Sequence, residues 1–178
     1  MRNSSFKKLA ALALMASFVF GITSCQKINF EKIDEDDFVK AAEEIDIDED
    51  EIDVYEEDWQ FRGSGFDEAS YAMVCSHNDL YLTYVVFDDE DDAFDCFEQY
   101  IEIVEDEVGN RRTGNKLKKN LNEDDEIGYI IFNLDDGYGG YYYCEDTLLL
   151  VLAIEPSSRD IRETQTFLGE LEYPYLED

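Results

Sequence analysis

The chain has 178 residues, with 45 acidic and 14 basic side chains and one histidine, for a formal charge of −31. Apolar residues make up 44% and aromatics 14%, enough to fill the core of one domain, so a disordered acidic tail is excluded. A pI near 4.1 excludes nucleic acid and anionic polymers as partners, because no basic footprint exists to displace counterions from phosphates.

The first 25 residues carry the most specific pattern. Arg2, Lys7 and Lys8 form a positive start, and Leu9 to Ile22 is almost wholly apolar but too short for a comfortable membrane span. Residues 1–24 therefore read as a secretory signal peptide. Ile22-Thr23-Ser24-Cys25 resembles a bacterial lipobox, in which the cysteine takes a diacylglyceryl thioether and becomes the first residue after cleavage. The expectation is a covalent diacylglycerol at Cys25, a short tether over residues 25–33, and a single acidic domain over 34–178. Loss of residues 1–24 removes three basic residues and no acidic ones, leaving 11 against 45 and a net charge of −34. An anionic bilayer repels such a body, so attachment falls to the lipid alone.

Asp34 to Asp46 reads as a first helix, with Phe38, Ala41, Ala42 and Ile45 at helical spacing and acids in the first turn. Asp46 to Asp58 reads as an exposed, extended connector, and Gly63-Ser64-Gly65 as a loop. Ser70 to Cys75 and Leu80 to Phe87 form a hairpin around Ser76-His77-Asn78-Asp79. Asp88 to Val108 is a long helix striped by Ala93, Phe97, Tyr100, Ile101, Val104 and Val108. Arg111 to Lys119 holds five of the 11 mature basic residues and reads as a loop. Ile127 to Leu134 and Gly140 to Ile154 supply three strands, and Ser158 to Leu171 a last helix between Pro156 and Pro174. The expected fold is α+β: an antiparallel sheet of about five strands with helices packed on one face, in the order α-ββ-α-βββ-α.

That order, with Asp37-Phe38, the Tyr-x-x-Phe-Asp of Tyr84 to Asp88, Ala93 with Phe97, the Tyr-rich run Tyr141 to Thr147 and the Tyr173-Pro174 tail, resembles a group of uncharacterised small lipoproteins of clostridia-like Gram-positive bacteria. The resemblance spans about residues 34 to 175 and implies this fold and a membrane-anchored, extracytoplasmic location. It implies no catalytic residues. The chain departs from the group in its heavier acid load and in the position of Cys96.

Several constellations bear on function. Asp46, Asp48, Asp50 and Glu57 stand at positions one, three, five and twelve of a calcium loop, but Glu51 occupies the sixth position, where the sharp turn demands glycine. No helix clearly follows Glu57 either, so diffuse, weak cation binding is the expectation there and a specific calcium site the alternative. The acids Asp88 to Asp92 suit a helix cap and first turn. Tyr138, Tyr141 and Tyr143 form, with Tyr142, an aromatic cluster suited to a sugar or peptide ligand if part of it is exposed. His77 sits in a turn beside Ser76 and Asp79, where neighbouring side chains point apart and build no triad. Setting Cys25 aside, Cys75, Cys96 and Cys144 leave three possible pairings. Cys75–Cys96 is preferred for its strand-then-helix placement; three small buried thiols are the alternative. The expected function is a non-enzymatic binding module of the cell envelope, tethered to the membrane by lipid and facing cationic, sugar or peptide ligands. The alternative is a weak calcium- or cation-binding acidic surface protein.

Overall fold

The computed structural model describes residues 30–56, 61, 65–110, 115–122 and 126–177, the side chains of 107–110 excepted. Helix α1, Glu35–Glu43, starts in a capping box: the Asp37 amide donates to Asp34 Oδ1 at 3.0 Å and the Asp34 amide to Asp37 Oδ2 at 3.2 Å. A 3₁₀ turn, Glu49–Glu51, leads into β1, Asp53–Tyr55. Then come β2 (Ala69–His77), β3 (Leu80–Phe87), α2 (Glu90–Asn110), β4 (Lys116–Asn122), β5 (Ile127–Leu134), β6 (Gly137–Cys144), β7 (Thr147–Ile154) and α3 (Ser158–Glu170). Asp89 caps α2 by accepting from the Asp92 amide at 3.1 Å, so the acid run Asp88 to Asp92 opens that helix as expected. Ser157 and Asp160 form the capping box of α3.

The seven strands make one antiparallel sheet in the order β1-β2-β3-β7-β6-β5-β4. The α+β class and antiparallel pairing stand as expected. The count of about five does not, because both edge strands lie where the sequence suggested loops. β1 falls inside the supposed connector, pairing Asp53 with Val74 and Tyr55 with Ala72, while Ile47 and Ile52 on either side of the 3₁₀ turn are buried. β4 takes up the basic island from Lys116 onward. Leu117 and Leu121 meet the sheet, Lys118 lies over the Tyr129 ring at 5.7 Å, and Lys119 pairs with Glu105 of α2 at 2.5 Å. Lysine on an edge strand blocks pairing with another chain, so its polarity marks an edge and not a loop.

Helices on one face is also corrected: they cover both. On one face α1 and α3 bury Met73, Cys75, Leu82, Tyr84, Tyr142 and Val151. On the other α2 buries Val85, Phe87, Ile130, Tyr141, Tyr143 and Leu148. The result is three layers. No helix among the described residues is long and apolar enough to cross a membrane.

Candidate functional site

The first structural feature near the expected anchor is the segment Phe30 to Ile33, which is docked on the domain. The Phe30 ring stands 4.3 Å from Tyr173 and 6.0 Å from Tyr142, centroid to centroid. Tyr84 donates its hydroxyl to the Ile33 carbonyl at 3.1 Å, and Tyr173 donates to the Glu31 carbonyl at 2.9 Å. Burial pushes both phenols well above their ordinary pKa, which keeps them protonated as donors. Lys32 pairs with Asp146 and, at 3.6 Å, with Glu145. Burial lowers the Lys32 pKa and these carboxylates more than offset it. Beside this strap a crevice of about 460 Å³ opens between Lys32, Asp37, Lys40, Glu170 and Glu172. Its two lysines are paired, Lys40 with Glu170, so it presents no free cation to an anionic ligand.

The expected ligand site at Tyr138, Tyr141 and Tyr143 is corrected by burial. Alternation does put Tyr141 and Tyr143 on one face and Tyr142 with Cys144 on the other, but helices lie over both faces. Tyr100 packs edge-on to Tyr141 at 5.1 Å, and Phe97 stacks on Tyr143 at 5.7 Å. Burial raises the phenols of Tyr141 and Tyr143 to about 12. Tyr138 is 1% exposed, accepts from Gln165 Nε2 at 3.0 Å and donates to the Leu176 carbonyl. These rings are core, with no open face for a sugar to stack on.

Of the calcium-loop acids, Asp46, Asp48 and Asp50 lie among the described residues and are not grouped to hold a metal. Asp46 adopts a left-handed backbone (φ 64°) in the turn after α1. There it lies near Arg159, whose pKa is raised first by Glu163 and, further down, by Asp46. Asp48 opens the 3₁₀ turn, its amide donating to Glu51 Oε2 at 3.0 Å, and Asp50 is exposed within it. Glu57 lies outside the described residues. Among the described residues no three His, Cys, Asp or Glu side chains are placed to hold a metal. His77 faces Arg159 Nη2 at 3.5 Å.

The preferred disulfide is corrected too. Cys75 belongs to the core under α1 and α3 and Cys96 to the core under α2, so the sheet separates them. All three thiols of the domain are free and buried. Burial raises Cys75 to about 12 and Cys96 and Cys144 to about 11, leaving little thiolate at neutral pH. Iodoacetamide at about pH 8 should therefore leave Cys75, Cys96 and Cys144 of the folded chain unlabelled and, after unfolding without reductant, label all three alike. Labelling of one thiol alone in the unfolded chain would reinstate a disulfide.

What sequence reasoning missed is an apolar groove where the second half of α2 crosses the sheet. Its volume is about 190 Å³. Ile103, Leu134, Leu152 and Ile154 form its walls, and Phe132 and Tyr141 its floor. Ile103 is 56% exposed and Ile154 43%. Ile103 lies off the buried stripe of α2, which was the available signal: an isoleucine among acids on the outward side of a helix.

No protein-family profile matches the chain, and no curated protein matches it. Among solved structures, the extracellular domain of PknH from Mycobacterium tuberculosis aligns with 68% of this chain and 77% of its own, at 9% identity and a TM-score of 0.26. At that score the likeness does not amount to a shared fold.

Proposed function

We propose that the chain is a lipid-anchored binding module on the extracytoplasmic side of a cell membrane, without catalytic activity. The observation that carries this reading is the run from Arg2 to Cys25, a positive start and an apolar stretch ending at a lipobox-like cysteine. The docking of Phe30 supports it, because packed residues of the domain then reach to within five residues of Cys25. Five residues reach at most about 17 Å, so a lipid at Cys25 keeps the domain beside the bilayer while its charge resists lying on it. Two acyl chains are enough for stable anchoring, each buried methylene contributing about 0.8 kcal/mol. Among the described residues the thiols of Cys75, Cys96 and Cys144 are buried and His77 faces Arg159, which places none of the four as a nucleophile or base of a hydrolytic site.

Metabolic labelling with an alkyne fatty acid tests the anchor. Wild type should carry the label and Cys25→Ala should lose it entirely. Equal labelling of the two, or none in either, contradicts the proposal.

A further inference from the structure

We infer that the groove between α2 and the β5–β7 end of the sheet is the binding site of this module, and that its occupant is a cationic protein segment that inserts one aliphatic side chain. The inference rests on the binding-module reading above and names the partner. Five large apolar side chains are exposed among the described residues: Val54, Tyr81, Ile103, Ile154 and Tyr175. Two of them, Ile103 and Ile154, stand in this one depression, so the exposure here is concentrated and not the scatter of an ordinary surface. The groove has room for a side chain, not for a folded domain.

Charge decides the occupant. Glu102 precedes Ile103 on α2, Asp135 and Asp136 form the β5–β6 turn, and Glu155 follows Ile154; all four are exposed, and Asp136 lines the groove itself. The Glu155 amide donates to the Asp136 carbonyl at 3.0 Å, which brings these two rim positions together. Among the described residues no basic side chain lines the groove. A segment with Lys or Arg on either side of an apolar anchor therefore matches both the rim and the floor, and the net charge, −31 for the full chain and −34 without residues 1–24, draws it in over a longer range. A second copy of the chain carries the same charge and is repelled, as is an anionic lipid surface. A sugar would need an open ring face, and Tyr141 is only 9% exposed.

The test uses the chain as isolated from the membrane fraction, its acylation read by mass, in phosphatidylcholine vesicles with two fluorescent peptides of equal positive charge. One carries Leu at its centre between flanking lysines; the other carries Ser there. At about 0.15 M salt, where surface charges are screened beyond about 8 Å, the Leu peptide should bind at least about tenfold tighter than the Ser peptide. Ile103→Ser and Ile154→Ser should each remove most of that advantage and leave the Ser peptide unchanged, while Tyr81→Ser, an exposed site elsewhere, alters neither. Melting curves confirm that the variants fold, as expected for exposed positions. Equal affinity for the two peptides, or a Leu advantage that survives both groove variants, overturns the inference. Acylation at Cys25 is read separately: an acylated chain indifferent to Leu sinks the groove alone, and an unacylated chain that prefers Leu sinks the anchor alone.

Discussion

Gly139→Ala should destabilise the domain more than any other single methyl addition, by about 4 kcal/mol, from backbone strain plus overpacking. Gly139 lies inside β6, the strand buried along its whole length between β5 and β7. Its φ is +154°, where side chains are rarely found, and a Cβ built there stands 2.0 Å from the Val151 carbonyl oxygen. That oxygen belongs to the backbone of β7, so no rotamer change relieves the clash; two strands at the centre of the sheet must separate. The melting temperature should fall by about 10 °C or more for a domain of this size. Gly140→Ala makes an informative companion, since its Cβ meets the Tyr142 hydroxyl at 2.6 Å and Ile131 Cγ2 at 2.7 Å. Those are side-chain atoms, but the Tyr142 hydroxyl is fixed by donating to the Pro174 carbonyl at 2.6 Å. Its cost should be lower than that of Gly139→Ala, not absent. Wild-type melting of Gly139→Ala would mean that β6 and β7 are not paired as described.

Phe30→Ala is expected to cost about 3 kcal/mol, the lower end for a buried phenylalanine, because its ring packs at the margin of the core, where the site relaxes more easily. Phe30 is 6% exposed and its ring closes a cluster with Tyr129, Tyr142 and Tyr173. Without the ring, the bonds from Tyr173 to Glu31 and from Tyr84 to Ile33 lose the packing that keeps water from them. Two readouts separate this effect from a general loss of stability. Amide exchange should quicken at residues 30–33 at temperatures where α2 and β6 stay protected, and Phe30→Leu should restore most of the melting temperature. If Phe30→Ala melts like wild type, the strap is not part of the core, and the short span from Cys25 to the domain loses its meaning.

The sequence made the helices and the inner strands legible because each rests on local chemistry. Asp34 and Ser157 cap their helices where hydroxyl or carboxyl acceptors precede an apolar stripe, and Asn78, with φ +54°, closes the β2–β3 hairpin. The edges were not legible. Three residues of β1 amid acids carry no periodicity, and the lysines of β4 hide an alternation visible only through Leu117 and Leu121. The two-sided packing was written in the chain but read wrongly. Ile127 to Phe132 is buried at every position, as is Tyr141 to Cys144. A continuous apolar strand means cover on both faces, whereas one bare face requires strict alternation. The same oversight turned core tyrosines into a candidate ligand site. The groove escaped because it is assembled from α2, β5, β6 and β7, each giving one or two residues, and only the crossing of helix over sheet brings them together.

The most direct measurement is the mass of the mature N-terminal peptide from the membrane fraction of cells making the wild-type chain. It should begin at Cys25 and carry diacylglycerol on the sulfur. A peptide that begins at Met1, or a bare Cys25 thiol, would contradict the account.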